Sequence, residues 1–512
     1  MVLVSQVKPN VYQDSVRLMR TSEALLKIAG VARAIVAMGT DANKRVLSEA
    51  SLLTDDVQAA GANDLVVVIE ASSADAAQQG LERAEALLNE ASNTAAVSGE
   101  VVINRTLEQA LRSAPGSNIA LISVPGGYAK LEAAKALNAG LNVFLFSDNV
   151  TLDEELELKQ RAVSRGLLVM GPGCGTANIN GVALAFGNAI RRGPIGLVGA
   201  SGTGLQEVTT LIDRAGSGIT QAIGVGGRDL SEAIGGLMMR QGIEMLSADP
   251  DTKAIVLISK PPAKSVANKM LEAAKASGKP VVICFLGGKR SGQEGSLIFT
   301  TTLEAAADAA LQQIGCSALP KLSENELDQL AIAERMRLSQ GQRYLRGLYS
   351  GGSLCDETMW ILSGRLPSVY SNIPLRSEWA LKDAWQSQEN SCVDMGDEEF
   401  TRGRPHPMLD PRLRQERILK EAEDPSVAVI LLDVVIGYGS HPDPASVLSE
   451  TIRIAKSRAG ARGRYLAVVA HVCGTEQDFQ GLQRQEQLLR EAGVLVLPTN
   501  AQAARVAAAI VG

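Results

Sequence analysis

Residues 196–208 read GLVGASGTGLQEV: an apolar run enters a turn of Ser201, Gly202, Thr203 and Gly204, and a helix-patterned segment follows. A strand, a tight turn of small residues and a helix, in that order, present unpaired backbone N–H groups to an anion. The turn is not a P-loop, because no Lys-Ser/Thr closes it. Its order, G-x-x-G-x-G, is not the dinucleotide fingerprint, and no acidic residue follows to hold a ribose. Capping by Ser201 alone would not require so many glycines. A second turn, IGVGGRDL, places Gly226 and Gly227 beside Arg228. That arginine either neutralises a phosphate or carboxylate or forms a surface pair with Asp229. Lys260, in SKPPA, stands at the carboxyl end of a strand-like run, where ligands gather in open α/β sheets. A third turn, DVVIGYGSHPDP, holds Gly437, Tyr438 and Gly439 with His441 just beyond, and the proline-fixed loop GRPHPMLDP holds Arg404 and His406. His406 and His441 are the candidate acid–base groups, with a loop-structural role as the alternative for each. The third histidine, His471, follows a strand, and the three match no zinc spacing, so no metal site is expected. Cys174, in GPGCGTANING, has no nearby histidine to activate it and reads as a small residue in a glycine turn.

The elements that must position these groups are apolar runs alternating with helical segments. DLVVVIE (64–70), NIALISV (118–124), PIGLVG (194–199), AIVLIS (254–259), VAVILLD (427–433) and YLAVVA (465–470) are continuous rather than alternating. Strands of that kind are buried on both faces, and helices between them imply parallel sheets in α/β domains. Composition shifts divide the chain into a small α+β unit at 1–95, ferredoxin-like in its order of elements, with SNTAAVSGE as linker. α/β units follow at 100–190 and 193–316, then a helical and Gly/Ser-rich linker at 317–365 and a last α/β unit at 366–512. Two of the later strands end in glycine-rich turns, which suggests an internal duplication.

The 512 residues exceed one ordinary domain, and 46% of them are apolar, enough for several cores. A net charge of −6 with interleaved signs and 3% aromatics argue against nucleic acid and against base-stacking platforms. The first residues lack the apolar core of a signal peptide, and no run approaches the ~20 residues of a membrane span. Six scattered cysteines read as reduced thiols, and a cytoplasmic protein is expected.

Taken together, QDSVRLM, MGTDANKRVL, LFSDNVTL, GLLVMGPGCGT, IGLVGASGTGLQEV, GVGGRDLSEAIGG, ISKPPA, GRPHPMLDP and LLDVVIGYG resemble the succinyl-CoA synthetase superfamily, and most closely its FdrA-type, acyl-CoA synthetase-like branch. The resemblance implies a Rossmann-like CoA-binding-type domain at 100–190. It also implies two flavodoxin-like ligase domains, an α type at 193–316 and a β carboxy-terminal type at 366–512. In that family two helix N-termini point at one phosphate; GASGTG matches the first and VIGYGS the second. The family's phosphorylated histidine falls at Gln293, in SGQEGS, and its orienting glutamate falls at Lys260. An amide cannot carry the phosphoryl group. The ATP-grasp domain and the opening glycine loop of the CoA domain are also missing, so no cofactor is specified and CoA remains only a candidate.

The reading that follows is a transferase subunit. It would clamp an acyl phosphate such as carbamoyl phosphate between helix ends, with Lys260 and Arg228 beside it, while Arg404, His406 and His441 orient a second substrate. Co-encoded subunits, a homo-oligomer or both are the implied partners. The alternatives are an acyl-CoA ligase subunit whose nucleotide site lies on another chain, and a non-catalytic scaffold.

Overall fold

A computed structural model of the chain describes residues 1–11, 13, 15–89, 104–402 and 404–512. These form two compact units, 1–103 with 401–405 and 104–400 with 406–512. The expected linker at 92–100 lies outside the described residues.

In the first unit, strand Leu65–Ala71 runs between Val2–Lys8 and Val31–Met38, antiparallel to both. Its continuous apolar run is buried on both faces. Leu65, Val67 and Ile69 pack with Leu25, Ala77 and Ala84, while Val66 and Val68 turn to Leu47, Leu52 and Val57. Helix Ala74–Asn89 follows the central strand.

The second unit is α/β and holds three sheets among the described residues. Strands Ile119–Ile122, Asn142–Leu145 and Val169–Met170 form a small parallel sheet. An eight-stranded sheet has the parallel strands Arg192–Ala200, Ile219–Gly224, Ala254–Ser259, Val281–Phe285 and Leu297–Thr300 at its centre. Antiparallel hairpins finish both of its edges, Gly292–Glu294 at one and Thr176–Ile179 with Val182–Ala185 at the other. The hairpin at 176–185, expected within the 100–190 unit, therefore joins the next sheet. A five-stranded, wholly parallel sheet has the order Ser391–Asp394, Tyr344–Tyr349, Val427–Val435, Ala467–Cys473 and Leu495–Leu497.

Residues 344–363, expected as the end of a linker, are instead strand Tyr344–Tyr349 and helix Gly352–Ser363, so the last α/β unit starts before 366. The strand hides a charge. Arg346 is 2% exposed, and its guanidinium donates to Glu421 Oε2 and Asp424 Oδ2, both at 2.9 Å. One hydrophobic core joins the eight- and five-stranded sheets through Leu205, Val208 and Leu211 on one side and Leu354, Met359 and Val506 on the other. No helix among the described residues is long and apolar enough to cross a membrane.

Candidate functional site

Register sets the site at the carboxyl ends of two parallel sheets. Gly199 lies opposite Gly224 and Ile258, and Ala200 opposite Ser259. On the other sheet Tyr349 lies opposite Asp394, and Asp433 opposite His471. The turn after Ala200 must be small. A Cβ on Gly199 would come within 2.7 Å of the Leu205 side chain. Helix Gly202–Arg214 then starts from Ser201, which is extended and makes no side-chain cap. Its partner is helix Gly352–Ser363, started by Gly351, again without a side-chain cap. The two starts touch. Ser201 Oγ donates to Ser353 Oγ at 2.6 Å, and the Ser353 amide donates to Thr203 Oγ1 at 3.1 Å. A Cβ on Gly351 would sit 2.9 Å from Thr203 Cγ2, so only glycine lets the helices approach this closely. Gly202 and Gly352, the first helical residues, are half-buried, and the contacts of Ser201 and Thr203 with Ser353 bring the positive ends of the two helices together.

Charged groups lie around the two helix starts. The buried Asp433 carboxylate accepts the Ser350 amide at 2.8 Å and the Gly351 amide at 2.7 Å, and Arg414 pairs with it at 3.2 Å. An internal anion thus already occupies the backbone just ahead of the second helix. Asp394 accepts the Gly396 amide at 2.9 Å, and its Oδ2 lies where a Cβ on Gly352 would come within 2.5 Å. Burial pushes Asp394 up to about 7, opposed by the positive charge of Lys260. The same two causes, burial first, act on Asp356, whose carboxyl is also raised. Lys260 follows Ser259 at the end of its strand. Burial drives His406 down to about 4, with the Arg414 charge adding to the effect. This neutral imidazole accepts the Met408 amide at Nδ1, at 3.2 Å, which leaves its proton on Nε2. Its ring lies 5.4 Å from that of Phe186, and a Cβ on Gly396 would be 2.7 Å from Nε2.

The structure redistributes the other sequence candidates. The turn at Gly437, Tyr438 and Gly439 is not the second helix end. The Gly437 amide donates to Gln480 Oε1, that of Tyr438 to Gly187 O, that of Ser440 to Gly437 O and that of His441 to Met408 O. These donors are consumed, and the next helix starts only at Pro444. His441 accepts the Asp443 amide at Nδ1, 3.0 Å away, on the loop beside the His406 segment. Arg228 joins neither a phosphate clamp nor a surface pair with Asp229. It donates to Glu155 Oε2 at 2.9 Å and to Val150 O at 2.7 Å, while Asp229 is fully buried against Lys159 at 2.8 Å. Gly226 begins beside the first turn, because the Val225 amide donates to Gly199 O at 2.9 Å, but Gly227 faces solvent. Arg404 belongs to residues 401–405, grouped with the first unit. Gln293 stands on an exposed hairpin, its amide donating to Gly295 O at 3.0 Å. The buried His471 bonds Glu207 Oε2 at 2.8 Å. Burial pushes the Cys174 thiol up to about 11, as suits an inert residue. Sequence reasoning missed Gly351, Gly352, Ser353, Asp356, Asp394 and Asp433. The available signal was YSGGS, a second apolar-to-glycine turn read as linker.

Three protein families match parts of the chain: a CoA-ligase domain over residues 348–510, a CoA binding domain over 191–287 and "AllF, heavy metal-associated domain" over 1–102. Residues 1–102 contain no cysteine or histidine. Among the described residues no cluster of three or more metal-ligating side chains occurs. The CoA binding domain match falls on 191–287, whereas in the small sheet strand Ile119–Ile122 leads through Pro125 into helix Gly126–Asn138.

The chain is 48% identical over 497 residues to the uncharacterized protein YahF of Escherichia coli K12, covering 96% of each. It is 30% identical over 213 residues to the ADP-forming succinate–CoA ligase subunit alpha of Aquifex aeolicus, covering 40% of this chain and 68% of that one. It is 29% identical over 197 residues to the ADP-forming sulfoacetate-CoA ligase subunit SauD of Bilophila wadsworthia, covering 36% and 65%. Joined to a fold of two α/β ligase-type sheets meeting at facing helix ends, these similarities show that the chain belongs to the YahF family, with CoA-binding and CoA-ligase domains of the succinyl-CoA synthetase type.

Proposed function

We propose that the chain is an FdrA-type acyltransferase subunit that holds phosphate or an acyl phosphate at the two facing helix starts and transfers a carbamoyl group without a phosphohistidine. The observation that carries this reading is the contact of Ser201 and Thr203 with Ser353, which brings two helix starts together with the Gly202 and Gly352 positions only half-buried. Each end contributes roughly half a positive charge. The clamp therefore stabilises charge on a phosphate leaving group electrostatically. Gln293 on its solvent-exposed hairpin offers no nucleophile.

With oxalurate as second substrate the chemistry balances. A phosphate oxygen attacks the carbamoyl carbon, and the bond from that carbon to the oxamate nitrogen breaks. The proton from hydrogen phosphate passes to that nitrogen, and carbamoyl phosphate and oxamate leave. Lys260 neutralises the phosphate, and the neutral His406 donates from Nε2 to the developing carbonyl oxyanion. His441 orients the second substrate, and co-encoded subunits complete the enzyme. The test is formation of carbamoyl phosphate from oxalurate and phosphate by the chain together with its co-encoded partners. Absence of turnover, together with absence of protection by phosphate, would contradict the reading.

Similarity to ADP-forming ligase subunits supports a second reading, an acyl-CoA ligase subunit with its nucleotide site on another chain. It requires thermal stabilisation by CoA and a phosphoenzyme labelled from nucleotide γ-phosphate. Gln293 argues against the label.

A further inference from the structure

Asp394 ends strand Ser391–Asp394 and stands beside the start of helix Gly352–Ser363. Its Oδ2 lies 2.5 Å from where a Cβ on Gly352 would sit, and its Oδ1 lies 3.2 Å from where one on Gly396 would sit. Oδ1 accepts the Gly396 amide at 2.9 Å, while Oδ2 accepts from no donor among the described residues. The residue is 6% exposed, yet Oδ2 keeps surface open to solvent, and Gly352 and Gly396 on either side of it are only half-buried. The other helix start carries a matching group. Thr176 Oγ1 lies 3.6 Å from where a Cβ on Gly202 would sit. Thr176 is also 6% exposed, and no group among the described residues pairs with its hydroxyl. Two buried, unpaired polar side chains thus flank the two helix starts that Ser201 and Ser353 hold together. A hydroxyl can donate to any anion. A carboxylate repels a bare anion and pairs only with one that brings a proton.

We infer that Asp394 is a specificity-determining residue that accepts a hydrogen bond from the P–OH group of a protonated phosphate held at the two helix starts, so that the site takes hydrogen phosphate and rejects sulfate. The inference rests on the proposed phosphate clamp. Sulfate has the same tetrahedral shape and the same charge as hydrogen phosphate but carries no proton near neutral pH. Against sulfate, Oδ2 meets another acceptor with no hydrogen between them. Helix ends alone attract any anion, and a charge left unpaired against the wrong one makes such a site selective. The proton so recognised is the one that the proposed reaction passes to the oxamate nitrogen.

The experiment is calorimetric titration of the full chain with inorganic phosphate and with sulfate at about pH 8, above the Asp394 titration at about 7, repeated on Asp394→Asn and Thr176→Val. The wild type should bind phosphate at least about tenfold more tightly than sulfate. In Asp394→Asn the Gly396 amide holds the side-chain oxygen at the Oδ1 position, which turns the NH2 group toward the anion. That variant should gain sulfate affinity by about tenfold and bring the ratio close to one, whereas a merely damaged fold would lose affinity for both anions. Thr176→Val removes a donor that serves either anion, so both affinities should fall while the ratio holds. Equal wild-type affinities for phosphate and sulfate would overturn the inference and leave the phosphate clamp standing. An unchanged ratio in Asp394→Asn would overturn it too. Failure of both anions to bind the wild type would instead overturn the clamp.

Discussion

Ser201 and Ser353, 152 residues apart, share a 2.6 Å hydrogen bond that joins the starts of two helices rising from different parallel sheets. Each serine lies immediately beyond a strand and a short turn, and the bond fixes how closely the two helix dipoles approach. The consequences below follow from that geometry and from the charged groups around it.

Gly352→Ala places a methyl group 2.5 Å from Asp394 Oδ2. The strain should cost about 1–3 kcal/mol in denaturant unfolding. It should also abolish any rise in melting temperature caused by phosphate, because the second helix start is displaced. A variant with unchanged stability and unchanged phosphate response would contradict the placement of this glycine.

Lys260→Gln removes the positive charge that opposes the rise of the Asp394 and Asp356 carboxyls. Phosphate affinity, measured by titration, should fall by about tenfold or more, the worth of one charge-assisted hydrogen bond. Equal affinity in the variant would remove Lys260 from the site.

Asp394 supplies a pH signature. Its folded-state carboxyl titrates at about 7, against an ordinary value of 3.8. Between those values the folded chain keeps a proton that the unfolded chain has lost, so stability falls as pH rises across this window and then levels. Asp394→Asn should flatten that slope in denaturant unfolding at pH 4.5–7.5, and Lys260→Gln should carry it to higher pH. An unchanged slope in Asp394→Asn would contradict the assignment.

Sequence legibility divides along physical lines. The runs 254–259 and 427–433 were readable because strands buried on both faces are apolar throughout, and both form central strands. Strand Tyr344–Tyr349 was not, because Arg346 interrupts its pattern and its neutralisation by Glu421 and Asp424 is a tertiary event. Losing that strand turned YSGGS into linker and passed its role to Gly437–Gly439. Glycine density there was real, but the donors serve Gln480 and Gly187. The first turn, Ser201–Gly204, was legible because strand, turn and helix are contiguous. Asp394 was not, since only folding brings it beside Gly352. Arg228 shows the converse: a cation beside glycines, yet committed to Glu155.

His471 and Glu207 give a stability test away from the helix starts. His471 presents Nδ1 to Leu497 O at 3.2 Å and Nε2 to Glu207 Oε2 at 2.8 Å, so both ring nitrogens face protein oxygens. Burial pushes the Glu207 carboxyl up, but the His471 charge and hydrogen bond outweigh it and hold it below its ordinary range. Its contribution is therefore present above the ordinary carboxylate pKa and lost as pH falls below it. Glu207→Gln should cost about 1–3 kcal/mol near pH 7 by removing a buried carboxylate acceptor, and less under acid conditions. A pH-independent cost would contradict the lowered carboxyl.

The central claim is that phosphate binds non-covalently where two helices meet. A crystal structure of the full chain soaked in carbamoyl phosphate tests it most directly. The account expects phosphoryl density within hydrogen-bonding distance of the Gly202 and Gly352 amides and of Lys260 Nζ, with no bond to a protein side chain. Density attached covalently to a residue, or bound elsewhere with none at the Gly202 and Gly352 amides, would contradict it.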